Sequence, residues 1–376
     1  MENQNGTDSR KLGREQEYAY WLSCVEGIGA VKAGCLRQKA GSFEEIYNMK
    51  KEQLEQCGFL HAVDKKNLWE ARKLLEKRRE EACHMCEKGI RLLLTEDEEY
   101  PERLRNIYDC PQWLFVRGNI PDKDTKTVAI VGARSCTSYG SQEAERLGRV
   151  LSEAGVAVIS GLALGVDGSA HRGAIRGGGE TYAVLGCGID VCYPPSHHNL
   201  YQEVLRCGGI LSEYGPGEAP VSTRFPVRNR IISGLSDAVI VVEARKRSGS
   251  LITADLALEQ GKEVFALPGR RTDPLSAGCN RLIGQGAAIL TEEDEVLDFF
   301  RIKCKKSGKA EKKSVNGLAK TEKMVYSCLD SHPRHLEEIM NLCSLSVGDC
   351  MTALLTLELN GWIIQPVNHH YARKLE

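Results

Sequence analysis

The chain has 376 residues, 42% of them hydrophobic and 27% charged, the balance of a folded protein with two or three domains. Fifty Lys and Arg stand against 51 Asp and Glu, and the formal net charge of −1 excludes a basic coat over the whole surface, so any anion binding must be local. Fifteen cysteines, a polar opening and no apolar run near the roughly 18 residues that span a bilayer point to a cytoplasmic protein with reduced thiols and no membrane partner.

Residues 15–87 read as helical, with Tyr18, Trp21, Leu22 and Val25 recurring at three- and four-residue spacing. Gly27-Ile28-Gly29 then separates two short helices. This is the form of a helix-hairpin-helix, whose backbone N–H groups can meet a DNA phosphate. Only Lys32 adds charge nearby, so a plain helical packing module is the other reading. Cys83-His84-Met85-Cys86 has metal-like spacing, but a structural zinc site takes four ligands and no second close pair follows. Its Glu/Lys/Arg-rich surroundings read as helix, and no metal site is expected.

From Arg91 the texture changes. Leu92–Leu94 and Trp113–Val116 are short strands, and further apolar runs follow at Val128–Val131, Val156–Ile159, Tyr182–Leu185, Ile210–Leu211, Ala238–Val242, Val264–Leu267 and Ala288–Leu290. Continuous apolar strands alternating with helices predict a doubly wound parallel α/β sheet covered on both faces. Arg301–Lys320 is lysine-rich and nearly devoid of apolar residues, the composition of a basic linker. Three helices and a terminal hairpin then predict a winged helix over 321–376. Its recognition helix carries Asp349, Thr352 and Glu358 and no Lys or Arg, poor chemistry for a DNA groove, which predicts a protein-contact role.

In an open α/β sheet, ligands bind beyond the carboxyl ends of the strands. Four such ends here lead into Gly-, Ser- or Thr-rich turns: Gly132-Ala133-Arg134, Ser160-Gly161 through Asp167, Gly186-Cys187-Gly188, and Lys246 with Ser248-Gly249-Ser250 and Thr253. Bare N–H groups at helix starts favour a phosphate, and Arg134 and Lys246 add charge. Asp167 reads as an N-cap for the helix carrying His171. The Asp167/His171 pair, four residues apart, reads as a structural contact. Arg224-Phe225-Pro226-Val227-Arg228-Asn229-Arg230 places three arginines around an aromatic ring, the combination that stacks a base and neutralises phosphate in single-strand binders. Gly-x-Gly-x-x-Gly after the first strand, a P-loop and a Gly-x-Ser-x-Gly elbow are all missing, which argues against nicotinamide, ATP-hydrolysing and α/β-hydrolase chemistry, and no cofactor is expected.

Across residues 100–290 the ordered motifs resemble the DNA-processing proteins called DprA or Smf. They are Tyr100-Pro101, Pro111–Gly118, Val131-Gly132-Ala133-Arg134, Ser160–Asp167 with Ala170-His171, Gly186–Pro194, Phe225–Ile232, Ser248–Ala254, and Gly278-Cys279-Asn280 with Gly286-Ala287. The resemblance implies an extended Rossmann-like fold flanked by a small N-terminal helical domain of helix-hairpin-helix type and a C-terminal winged helix. The expected division is 1–90, 91–300, a linker at 301–320, and 321–376. It further implies a homodimer that binds single-stranded DNA without catalysis and loads RecA recombinase in transformation and recombination. By motif position Arg134 would grip phosphate, with Gly161, Ser248, Ser250 and Thr253 lining the same pocket. Phe225 would stack on a base, while Arg228, Asn229 and Arg230 shape the wall. The lysine that some members carry after Tyr-Pro is replaced here by Pro195-Ser196-His197-His198. The alternative is a nucleotide-processing enzyme of the phosphoribohydrolase group, also called lysine decarboxylases. The stretch comparable to that group's motif, Arg247–Asp255, keeps Thr253 but lacks the catalytic Glu at the motif's offset.

Overall fold

The computed structural model describes residues 12–302, 318–330 and 332–374. The apolar runs become β1 (Ile90–Leu94), β2 (Trp113–Gly118), β3 (Thr127–Val131), β4 (Ala157–Ser160), β5 (Thr181–Leu185), β6 (Gly208–Ser212), β7 (Ala238–Val241), β8 (Glu263–Ala266) and β9 (Ala288–Ile289). They form one sheet in the order β1-β2-β6-β5-β4-β3-β7-β8-β9. From β3 to β9 every neighbouring pair is parallel. The parallel expectation is modified at one edge, where β2 pairs antiparallel with β6 and β1 antiparallel with β2. Parallel neighbours need a full crossover, and the only helix between β1 and β2 is the four-residue α7 (Glu102–Arg105).

Among the described residues six α-helices precede the sheet: α1 (Arg14–Ser23), α2 (Ala30–Ala40), α3 (Phe43–Asn48), α4 (Lys51–Glu55), α5 (Ala62–Ala71) and α6 (Leu75–Glu87), which includes Cys83 and Cys86. Seven more follow β3: α8 (Ser138–Glu153), α9 (Val166–Arg176), α10 (His198–Cys207), α11 (Arg224–Leu235), α12 (Gly249–Glu259), α13 (Ala277–Gly284) and α14 (Asp294–Phe299). Strands β3 to β7 are buried along their whole length because both faces are covered. In β3, Val128 and Ile130 join a core with Leu147 and Leu151 of α8. Ala129 and Val131 join another with Ile231 and Ile232 of α11 and Leu251 of α12. The N-terminal helices do not stand apart. Trp21, Leu36, Phe43 and Ile46 share one core with Trp113 and Phe115 of β2 and Leu200 and Tyr201 of α10.

The Gly27–Gly29 turn is built for packing. Lys32 Nζ lies 2.7 Å from Asp64 Oδ2 and donates to the Gly27 carbonyl at 3.0 Å. A carboxylate so close to the glycine turn repels the phosphate that a DNA-binding hairpin would meet. Burial raises the Asp64 pKa, but the Lys32 and His61 N–H hydrogen bonds outweigh it and the group ends below its ordinary range.

The last segment holds α15 (Lys320–Ser327), β10 (Arg334–His335), α16 (Leu336–Cys343), α17 (Val347–Leu359), β11 (Ile363–Val367) and β12 (His370–Arg373). It has its own core, with Val325, Ile339, Leu354, Leu357 and Tyr371 buried together. Helices α16 and α17 meet at 109°, the angle of a helix-turn-helix. Val347, Met351, Leu355 and Leu359 of α17 are exposed. Most of the predicted basic linker lies outside the described residues. Among those described, no single helix is long and apolar enough to cross a membrane.

Candidate functional site

Strand order reverses between β3 and β7, so the carboxyl ends of β3, β4 and β5 open on one edge beside that switch point. There Arg134 follows β3, Gly161, Ala163 and Leu164 follow β4, and Tyr193-Pro194, joined by a cis peptide, follow β5. Together with Phe225 on the first turn of α11 these residues line a cavity of about 60 Å³. The Arg134 guanidinium lies 5.0 Å from the centre of the Phe225 ring. Tyr193 lies 5.6 Å from the same ring, tilted by 32°. Arg134 is exposed and makes no ion pair among the described residues. An arginine resting on an aromatic ring keeps its donors free for an anion while its plane stays ordered.

Buried charge holds the rim in place. Arg228, 4% exposed, donates to the Gly161 carbonyl at 3.0 Å and to the Val184 carbonyl. A side chain at 161 would put its Cβ 2.5 Å from that guanidinium, so only glycine fits. Asp167 accepts the Gly161 N–H at 3.1 Å. Burial pushes Asp167 up, against the pull of Arg228 and of the Ala163 and Gly161 N–H groups. Burial brings Arg228 down to about 10, with Asp167 opposing, so the guanidinium stays charged near neutrality. Asp167 is therefore not the N-cap of α9. Gly165 takes that position at φ +75°, and Asp167 turns back from the first helical turn to the loop.

The Arg224–Arg230 concentration divides three ways. Phe225 reaches the cavity. Arg228 and Arg230, expected to shape the pocket wall, are both buried and engaged within the protein: Arg228 backs the Phe225 ring at 5.9 Å, whereas Arg230 does not reach the pocket. Arg230, 2% exposed, pairs with Glu213 at 2.9 Å and Asp109 at 2.8 Å, away from the pocket. Its partner Glu213 is pushed up by burial and drawn down by Arg230. Asn229 donates to the Gly249 carbonyl at 3.2 Å and ties α11 to the start of α12. Ser248, Ser250 and Thr253 gather there, with the two serine hydroxyls 2.8 Å apart and Thr253 buried, but they do not line the Arg134 cavity. Lys246 is exposed on the turn before them.

His197 does not replace the missing lysine. It is buried, its Nδ1 meets the Leu162 carbonyl at 3.1 Å, and its ring packs where a Gly168 side chain would be. His198 is exposed. His171 is fully enclosed, with Nδ1 2.7 Å from Thr181 Oγ1. Burial first, then His197, lowers its pKa to about 3, so it is neutral and structural. Sequence reading missed Tyr193 as a site residue. Its signal was the aromatic-proline pair that closes the Gly186–Pro194 motif.

Two family models match in order: DNA recombination-mediator protein A over residues 91–301, and the DprA winged helix domain over 309–365. The chain belongs to the DprA/Smf family. Protein Smf of Synechocystis is 32% identical over 404 aligned positions, covering 95% of this chain and 99% of that protein. The crystal structure of DprA from Streptococcus pneumoniae superposes with a TM-score of 0.62 at 34% identity, covering 77% of this chain and 98% of that one. A DprA structure from Helicobacter pylori, described for its single-stranded DNA binding mode, gives 0.51 at 34% identity over 56% of this chain and 95% of that one. The DprA/Smf fold thus accounts for both the sheet and the winged helix.

Proposed function

We propose that the Arg134 pocket holds single-stranded DNA without catalysis, and that the protein acts in the cytoplasm as a homodimer that loads RecA recombinase during recombination, including natural transformation. One observation carries the pocket: an exposed arginine with no ion pair among the described residues lies on Phe225 beside Tyr193 at the mouth of the cavity. Arg134 would take a phosphate and Phe225 a base. Gly161 lets the backbone approach, while Lys246 and Ser248 extend the polar edge on the turn before α12, over the buried Ser250 and Thr253. The dimer is supported by the edge strand β9, where Ile289 is 48% exposed. The recombinase partner is supported by the family description alone. We propose a division into 1–90, 91–300, 301–320 and 321–376, in which the first two segments share the core that joins the N-terminal helices to β2 and α10.

A fluorescence titration with oligo-dT tests the pocket. Arg134→Ala is expected to weaken binding by about tenfold or more and to flatten its salt dependence by about one phosphate contact. Binding equal to wild type would remove the assignment. Incubation with nucleoside monophosphates tests the enzymatic alternative, and release of free base would revive it.

A further inference from the structure

In a Rossmann-like sheet, the helix that follows the first strand of the parallel set opens on the switch point and presents its N–H groups to a nucleotide phosphate. Here that helix is α8, after β3. Its N-cap Thr137 and third residue Gly140 face the end of the neighbouring strand β7, where Glu243 stands two residues past Val241. Glu243 is 5% exposed. Its Oε2 accepts the Thr137 N–H at 2.8 Å, and its Oε1 accepts the Thr137 hydroxyl at 2.5 Å. The same hydroxyl accepts the Gly140 N–H at 3.0 Å. A Cβ on Gly140 would lie 2.4 Å from the Glu243 carboxyl carbon, so the carboxylate lies directly against the first helical turn.

We propose that Glu243 is a specificity-determining residue: an internal carboxylate that occupies the switch-point phosphate position and excludes phosphomonoesters, so that mononucleotides do not lodge where a Rossmann enzyme would hold them. Three features combine. Two donors at the helix start, the Thr137 N–H and hydroxyl, already donate to carboxylate oxygens, and the Gly140 N–H donates to the Thr137 hydroxyl. The Glu243 carboxyl group fills the space that a side chain at 140 would take. A second anion would meet a buried negative charge in a low-dielectric setting, where repulsion is strong. Arg134, three residues before Thr137, points instead to Phe225 and leaves anion binding to the exposed rim. A phosphate within a continuous strand can reach that rim without entering the switch point. The inference goes beyond the single-strand reading, and the two can fail separately.

The experiment uses the full chain with AMP and orthophosphate as probes, by calorimetry and by ¹H–¹⁵N spectra. Glu243→Ala opens the cradle, and Glu243→Gln keeps the shape while removing the charge. Wild type is expected to show no saturable AMP binding at millimolar concentration. Glu243→Ala is expected to gain affinity for AMP and orthophosphate by about tenfold or more, with shifts at the Thr137 and Gly140 amides. Glu243→Gln is expected to gain less, because its amide still fills the space. Oligo-dT affinity is expected to stay within about twofold in both, which checks folding and keeps the pocket reading separate. Variants that melt cooperatively and bind oligo-dT, yet gain no phosphate binding, would overturn the proposal. So would saturable AMP binding by the wild-type protein that shifts the Gly140 amide, a result that requires no variant.

Discussion

The sheet-edge pocket and the winged helix both have the backbone form of a nucleic-acid binder, and they differ in what their exposed side chains offer. At the pocket an unpaired arginine lies across an aromatic ring. On α17 the exposed residues include Val347, Met351, Leu355 and Leu359, and the helix has two acids and no base. The Gly27–Gly29 hairpin sides with the winged helix, since its one lysine is bound to Asp64. A motif's outline positions backbone, but affinity for a polyanion comes from cations left free to release counterions. The same rule separates three arginines within one molecule: Arg134 is free, whereas Arg228 and Arg230 are part of the core.

The largest expected effect tests that separation. Arg230→Ala leaves Glu213 buried without its partner and is expected to cost about 3–5 kcal/mol of stability, read by denaturant unfolding. A stable variant that lost only DNA affinity would reverse the assignment of Arg230 to the core. Phe225→Ala should instead fold normally and lose about 1–3 kcal/mol of oligo-dT binding, while Phe225→Trp retains most of it. An unchanged titration would leave the pocket no more distinctive than the winged helix.

A third test concerns the scaffold beneath the pocket. His171 binds a proton at about pH 3 when folded and at its ordinary 6.5 when unfolded. Between those values the unfolded chain holds the extra proton, so this contribution is complete above pH 6.5 and is lost as pH falls. The slope is about 1.4 kcal/mol per pH unit. Unfolding curves from pH 7 to 5 should show it, and His171→Gln should flatten it; an equal slope in the variant would mean that other groups carry the acid sensitivity. The smallest effect belongs to the winged helix. Asp349→Ala with Glu358→Ala is expected to change oligo-dT affinity by less than about twofold, because surface charges remote from the strand are screened. A large gain would show that α17 approaches DNA and would dissolve the contrast.

Much of this was legible in the residues themselves. Continuous apolar runs of two to five residues announce a sheet covered on both faces, and Arg134, Gly161 and Phe225 stand out by their places after strands or at a helix start. Periodicity and turn chemistry are local, and one residue's neighbours are enough to express them. Which arginine of Arg224–Arg230 faces solvent is not local. It depends on Glu213 and Asp109 arriving from other parts of the chain to neutralise Arg230, and on the Gly161 and Val184 carbonyls converging on Arg228. Tyr193 became a pocket wall, and Glu243 a cap on α8, only when strands distant in sequence were laid side by side. The sequence by itself determined the fold class and the sheet edge at which we propose binding. Tertiary structure decided which charges remain free, because burial and pairing are properties of contacts between residues far apart along the chain.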